Sequence, residues 1–139
     1  MTTTSARATY DEHVYGQSLI VNAVEIEHWR RTAADLLRHW GAPDKTVELV
    51  RLGVSELLSN VARHVDHPRC YLRITRIGTT VTVQVFDRSR RLPRVVTEPD
   101  WQAESGRGLW MLREMATGFG SELTERCAGK IVWFTCDLA

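Results

Sequence analysis

No stretch of the chain approaches the ~18–20 consecutive apolar residues that a helix needs to span a bilayer, which excludes a transmembrane helix. Cysteine is scarce. Cys70, Cys127 and Cys136 show no C-x-x-C spacing, and an odd count without a secretory signal points to reduced thiols in the cytoplasm. Two of the three lie in apolar, strand-like runs, where packing explains them. An excess of one charge is also missing. The net charge is +1, so no strong overall field draws in nucleic acid. A complete P-loop is absent as well. Gly129-Lys130 looks like its tail, but Thr124 stands where the first glycine belongs and Ile131 where Ser or Thr is required. There is no Gly-rich loop, His-Arg-Asp or Asp-Phe-Gly set of a eukaryotic-type protein kinase, and no Ser/His/Asp array stands out. His64, Asp66 and His67 read as surface or capping residues at a helix end rather than as a metal site.

What remains is an ordinary globular composition. The chain has 139 residues, 43% hydrophobic and 25% charged, which favours one domain with one core. The segment from Met1 to Thr9 is rich in Thr, Ser and Ala without an apolar core, so it reads as a loose tail rather than a signal peptide. We expect a flexible tail over residues 1–15 and a folded domain over 16–139. Residues 10–25 are open between a short edge strand and the run-in to a helix, with Leu19, Val21 and Val24 as the apolar positions. Ile26, Trp29, Ala33, Leu36 and Trp40 fall at steps of three and four, an amphipathic helix that Gly41 and Pro43 end. A second helix opens near Asp44 with a stripe of Val47, Val50, Val54, Leu57/Leu58, Val61 and Val65, and His67-Pro68 closes it.

Two strands follow. Leu72 and Ile74 alternate with polar residues, as do Val81, Val83 and Val85, and Gly78 sits in the link, so they form a hairpin. Residues 88–105 carry two prolines and many charges and read as a long loop. A third helix begins near Arg107, with Leu109, Leu112 and Ala116 on one face and Gly118 and Gly120 as its stop. Glu122–Arg126 and Ile131–Asp137 read as a second hairpin around Ala128-Gly129. This order predicts an α+β fold: a two-layer α/β sandwich with helices on one face of a mixed, mostly antiparallel sheet.

Three groups of residues carry possible chemistry. On the second helix, Glu56 and Asn60 are i,i+4 neighbours and Arg63 completes the row, well off the apolar stripe. A solvated polar face also looks like this, but asparagine is a mediocre helix former in mid-helix. Asp87 continues the parity of Val81, Val83 and Val85, so its carboxylate faces inward and needs a hydrogen-bond partner. An adenine amino group is a suitable donor, and a turn-capping aspartate is the plainer alternative. Ser105-Gly106-Arg107-Gly108-Leu109 opens a helix. Free N–H groups there favour anions, and glycines allow close approach to phosphate.

The order Glu56-Leu57-Leu58-Ser59-Asn60, then Val85-Phe86-Asp87, then Gly106-Arg107-Gly108-Leu109 resembles the GHKL (Bergerat-fold) ATPases, whose ATP-binding domain is histidine kinase-like. More closely it resembles the bacterial anti-sigma factor serine/threonine kinases of the RsbW and SpoIIAB type. Ser55 to Asn60 with Arg63-His64 is similar to their N box, and the run Gly129-Lys130-Ile131-Val132-Trp133-Phe134 is also similar to the family. The resemblance implies ATP and Mg²⁺ as ligands. Asn60 would coordinate Mg²⁺, Arg63 would adjoin the nucleotide, and Glu56 would be the general base toward a substrate hydroxyl. Asp87 would accept from the adenine amino group. Ser105, Gly106, Arg107, Gly108 and Leu109 would hold the phosphates, and Thr135 would reach a water beside the adenine. Implied partners are a sigma factor and a STAS-type anti-anti-sigma factor, with a possible homodimer. One departure is visible: Asp87-Arg88-Ser89-Arg90-Arg91 stands where the superfamily has Asp-x-Gly-x-Gly, so no glycine follows the aspartate. A binding module of the same fold, acting by protein contact alone, is the alternative. Nucleic-acid binding through Arg88, Arg90, Arg91 and Arg94 is not expected of a near-neutral protein.

Overall fold

The computed structural model describes residues 13–64, 68–90, 92, 107–124 and 129–138. The elements are β1 (Val14–Ile20), a short 3₁₀ turn (Ala23–Glu25), α1 (Ile26–His39) and α2 (Asp44–His64). Then come β2 (Arg69–Ile77), β3 (Thr80–Asp87), α3 (Arg107–Met115), β4 (Gly118–Thr124) and β5 (Gly129–Asp137). The five strands form one sheet in the order β1-β2-β3-β5-β4, and the pairings among described residues are all antiparallel. The fold is α+β, an ATPase-type two-layer sandwich.

The sheet has one core face. Leu72 and Ile74 of β2, Val81, Val83 and Val85 of β3, and Val132, Phe134 and Cys136 of β5 are all buried, and their alternation places them together. The α2 stripe Val47, Val50, Val54, Leu57, Leu58 and Val61 closes over them. Gly53 is the contact point: a Cβ there would run into the Phe134 ring, so its absence lets the helix settle on β5. On either side of α2 pack α1 and α3. At the β2–β3 link Gly78 has φ 63°, the left-handed conformation a tight hairpin turn needs.

Several expectations need correction. On α1 the expected Ile26 and Ala33, with Trp40 at its C-terminal end, are buried and Trp29 and Leu36 pack partly buried against the core, while Ala34 and Leu37 widen the buried face beyond the stripe read in the sequence. The described part of the 10–25 segment, from His13 on, holds edge strand β1 followed by the turn, where Asn22 Oδ1 accepts the Glu25 N–H at 3.0 Å. Strand β1 starts at Val14, inside the segment 1–15 assigned to the tail. Gly118 and Gly120 do not stop α3, which ends at Met115; they lie in β4. Their missing side chains leave room for Thr135 and for the Trp133 ring on β5, a close-approach role for strand glycines. The second hairpin therefore pairs Gly118–Thr124 with Gly129–Asp137, starting earlier on both strands than expected. Val65, Asp66 and His67, most of the 88–105 loop, and Arg126 to Ala128 lie outside the described residues.

Candidate nucleotide site

Two contacts fix how α2 runs over the sheet. Thr46, in its first turn, donates its hydroxyl to the Asp137 carbonyl at 3.1 Å, at the end of β5. Two turns on, Gly53 meets Phe134. Helix α2 is therefore antiparallel to β5. A rise of ~1.5 Å per helix residue against ~3.3 Å per strand residue carries its next two turns toward the start of β5. Glu56, Asn60 and Arg63 thus move toward the end of the sheet where β3 finishes at Asp87 and β5 begins at Gly129.

Glu56 meets α3 there. A Cβ on Gly108 would coincide with the Glu56 carboxylate, so the glycine is what lets that carboxylate rest against the first turn of α3. Helix N-termini carry free N–H groups and a partial positive charge, which suits an acidic side chain. Burial pushes the Glu56 carboxyl above its usual pKa, and the Arg63 guanidinium pulls part of the way back. Asn60 is half-exposed, and among the described residues its Oδ1 accepts only a long hydrogen bond, 3.4 Å, from Arg63 Nη2. That amide oxygen is open to a stronger partner.

Asp87 lies on the core face, as strand parity requires, and is 5% exposed. It already has partners. Lys130, its register neighbour on β5, places Nζ 2.9 Å from Oδ1 and 2.9 Å from Oδ2. The Ser89 N–H also donates to Oδ1 at 2.8 Å, an Asx-type turn that leads the chain away from the strand. On the other side Asp87 faces Cys70 of β2, whose thiol is pushed up to about 12 by burial and then by the Asp87 charge. Gly129 allows this crowding, because a Cβ there would strike the Asp87 backbone carbonyl.

The structure therefore joins Glu56 to Gly108, keeps Asn60 and Arg63 on the same helix face, and sets Asp87 at the end of the sheet that this face approaches. Leu109 is buried in the core, so only its backbone can serve a ligand. Arg107 begins α3, and Ser105 and Gly106 lie outside the described residues. Thr135 is not brought to this site. It projects from the sheet face opposite Asp87, and its hydroxyl lies 3.0 Å from that of Thr117. Lys130 is the residue that sequence reasoning missed. It stood in the tail of a failed P-loop and in the family-like run from Gly129 to Phe134 with no role of its own, although its parity with Val132, Phe134 and Cys136 marks it as inward-facing.

Fit to Mg²⁺ can be judged from the donors. Among the described residues no three His, Cys, Asp or Glu side chains gather closely enough to hold a metal ion by themselves. The set present, one open amide oxygen beside a carboxylate, suits an ion that keeps its waters and shares phosphate ligands, as Mg²⁺ does.

A helical layer with an acidic and an amide side chain over one end of an antiparallel sheet, facing a glycine-led helix, is the layout of an ATPase-type sandwich. The family model for histidine kinase-like ATPase domains matches residues 21–136, and the chain belongs to that family. No match to a curated protein was found. No described helix is long and apolar enough to cross a membrane.

Proposed function

We propose that the chain binds ATP with Mg²⁺ between α2 and the start of α3 and serves as a regulatory protein serine/threonine kinase of the anti-sigma factor type. The observation that carries this reading is the Glu56 carboxylate resting against Gly108. Phosphates at the α3 N-terminus would meet that carboxylate, and two anions at one helix end need a cation between them. Asn60 Oδ1 offers a ligand for Mg²⁺, which when bound neutralises charge on the phosphates.

In this reading Glu56 accepts the proton of a serine or threonine hydroxyl on the substrate protein. The hydroxyl oxygen bonds to the γ-phosphorus while the bond to the β–γ bridging oxygen breaks, and ADP leaves. A carboxyl with a raised pKa is the better base. The substrate would be an anti-anti-sigma antagonist of the STAS type, and its phosphorylation would leave the kinase free to hold a sigma factor. These partners rest on the resemblance of Ser55–Asn60 and Gly106–Leu109 to that kinase family. Calorimetry with ATP, with and without Mg²⁺, tests the first half. Transfer of labelled phosphate to candidate antagonists tests the second. Heat of binding that is absent in both titrations would sink the reading.

A second reading, a non-catalytic binding module, draws on the Asp87–Lys130 pair and on the arginines that follow Asp87 in place of glycines. In that case antagonists would bind without ever acquiring label.

A further inference from the structure

The end of the site where a nucleobase would lie holds a buried ion pair rather than a free carboxylate. Asp87 Oδ1 is engaged twice, by Lys130 Nζ and by the Ser89 N–H, and Oδ2 is engaged by Lys130. A carboxylate accepts through about four lone-pair positions, so little capacity remains on Asp87. The order of the pair matters too. The Asp87 side chain is 1% exposed and that of Lys130 is 7% exposed, so both partners are buried and the lysine is the less deeply buried of the two. An ammonium has three N–H donors and no acceptor. Lys130 directs Nζ at the two Asp87 oxygens, which leaves donor capacity for a third partner.

We propose that Lys130 is a base-selecting residue, and that it turns the base-reading end of the site from an acceptor into a donor. This inference rests on the nucleotide-binding reading above. A lone carboxylate reads the amino group of adenine and rejects the carbonyl of a 6-oxopurine, because two acceptors then face each other. With Lys130 the less deeply buried partner, N1 of adenine and O6 of guanine or hypoxanthine both find a donor. The site therefore admits 6-oxopurine nucleoside triphosphates alongside ATP. Charge-assisted bonds to a buried group carry enough energy to set such a preference.

Competitive titration of the full chain with ATP and GTP, each with Mg²⁺, tests this. The parent is expected to bind the two within about threefold of each other. Lys130→Met exposes the Asp87 acceptor and is expected to shift the ratio toward ATP by about tenfold, the size of one lost or gained hydrogen bond. Lys130→Arg keeps a donor at that place and keeps the parent ratio. A lysine that merely staples the strand ends would leave the ratio unmoved in all three proteins, because a loss of fold lowers both affinities together. If Lys130→Met does not fold, the parent and Lys130→Arg decide: comparable affinities in both support the assignment. A preference for ATP above about tenfold in the parent, or an unchanged ratio in Lys130→Met, overturns it while leaving ATP binding intact. Binding of neither nucleotide overturns this inference and the nucleotide-binding reading together.

Discussion

Among the described residues Asn60 is held by a single long contact from Arg63, so replacing it disturbs little of the fold. Asn60→Ala is expected to unfold at nearly the parent temperature, since a half-exposed helix position gains in propensity what it loses in contact. It is also expected to lose the Mg²⁺-dependent part of ATP binding, so that titrations with and without the metal give one curve. Glu56 behaves differently. Its pKa is raised in the fold, so its contribution to stability is fully present below the ordinary carboxyl range and is lost as pH rises through the raised value. Once pH rises above that value the parent carries a half-buried charge that the fold would rather neutralise. Glu56→Gln removes that charge while keeping the shape. Its melting temperature should exceed the parent's near neutral pH, and the difference should close in acid. ATP binding should persist while phosphate transfer is lost. A Glu56→Gln protein that melts below the parent at neutral pH would contradict the electrostatic account.

At the scale of elements, two helix glycines mark where a neighbour must come close. Gly53 faces the Phe134 ring and Gly108 faces the Glu56 carboxylate. Alanine is the better helix former by ~1 kcal/mol. Overpacking a core contact costs about 1–3 kcal/mol. Gly53→Ala should therefore lower stability in denaturant titration even though it favours the isolated helix. Gly108→Ala meets the end of a flexible side chain instead, so stability should hold while nucleotide affinity falls as Glu56 is displaced.

These contacts also show how far the sequence could be read. The α2 stripe and the β2–β3 hairpin were legible because each has a clean period and a clear breaker. Glu56, Asn60 and Asp87 were legible as candidates because helix phase and strand parity orient them without knowledge of the rest. Edge strand β1 was legible only as one of two alternatives, since its residues are mostly exposed and give no alternation. Gly118 and Gly120 were misread because two glycines after a helix look like a stop, and only the Trp133 and Thr135 side chains across the strand pair give them their purpose. Thr135 was placed at the adenine from family likeness, without using the parity that sends it to the opposite face.

At the scale of the whole molecule, the Asp87–Lys130 pair ties strands together across 43 residues of sequence, where β3 ends and β5 begins. Strand parity alone marks Lys130 as inward-facing, but only its partner Asp87 shows how a buried charge is compensated there. Taking two charges out of water is costly, and the pair recovers that cost only while both members are present. Removing one alone leaves the other buried and uncompensated, so Lys130→Met should cost about 3–5 kcal/mol in equilibrium unfolding. Removing both is another matter. Asp87→Leu with Lys130→Met replaces the pair by apolar groups of similar volume between Cys70, Val85 and Val132, and should return much of the lost stability. The Ser89 N–H loses its acceptor in that variant, so recovery should stop short of the parent. A double-mutant cycle in denaturant measures the coupling directly. Strong coupling with weak nucleotide selectivity would make the pair a structural clasp at the mouth of the site. Strong coupling together with the shift in ATP-to-GTP ratio would mean that the same two charges close the sheet and choose the base.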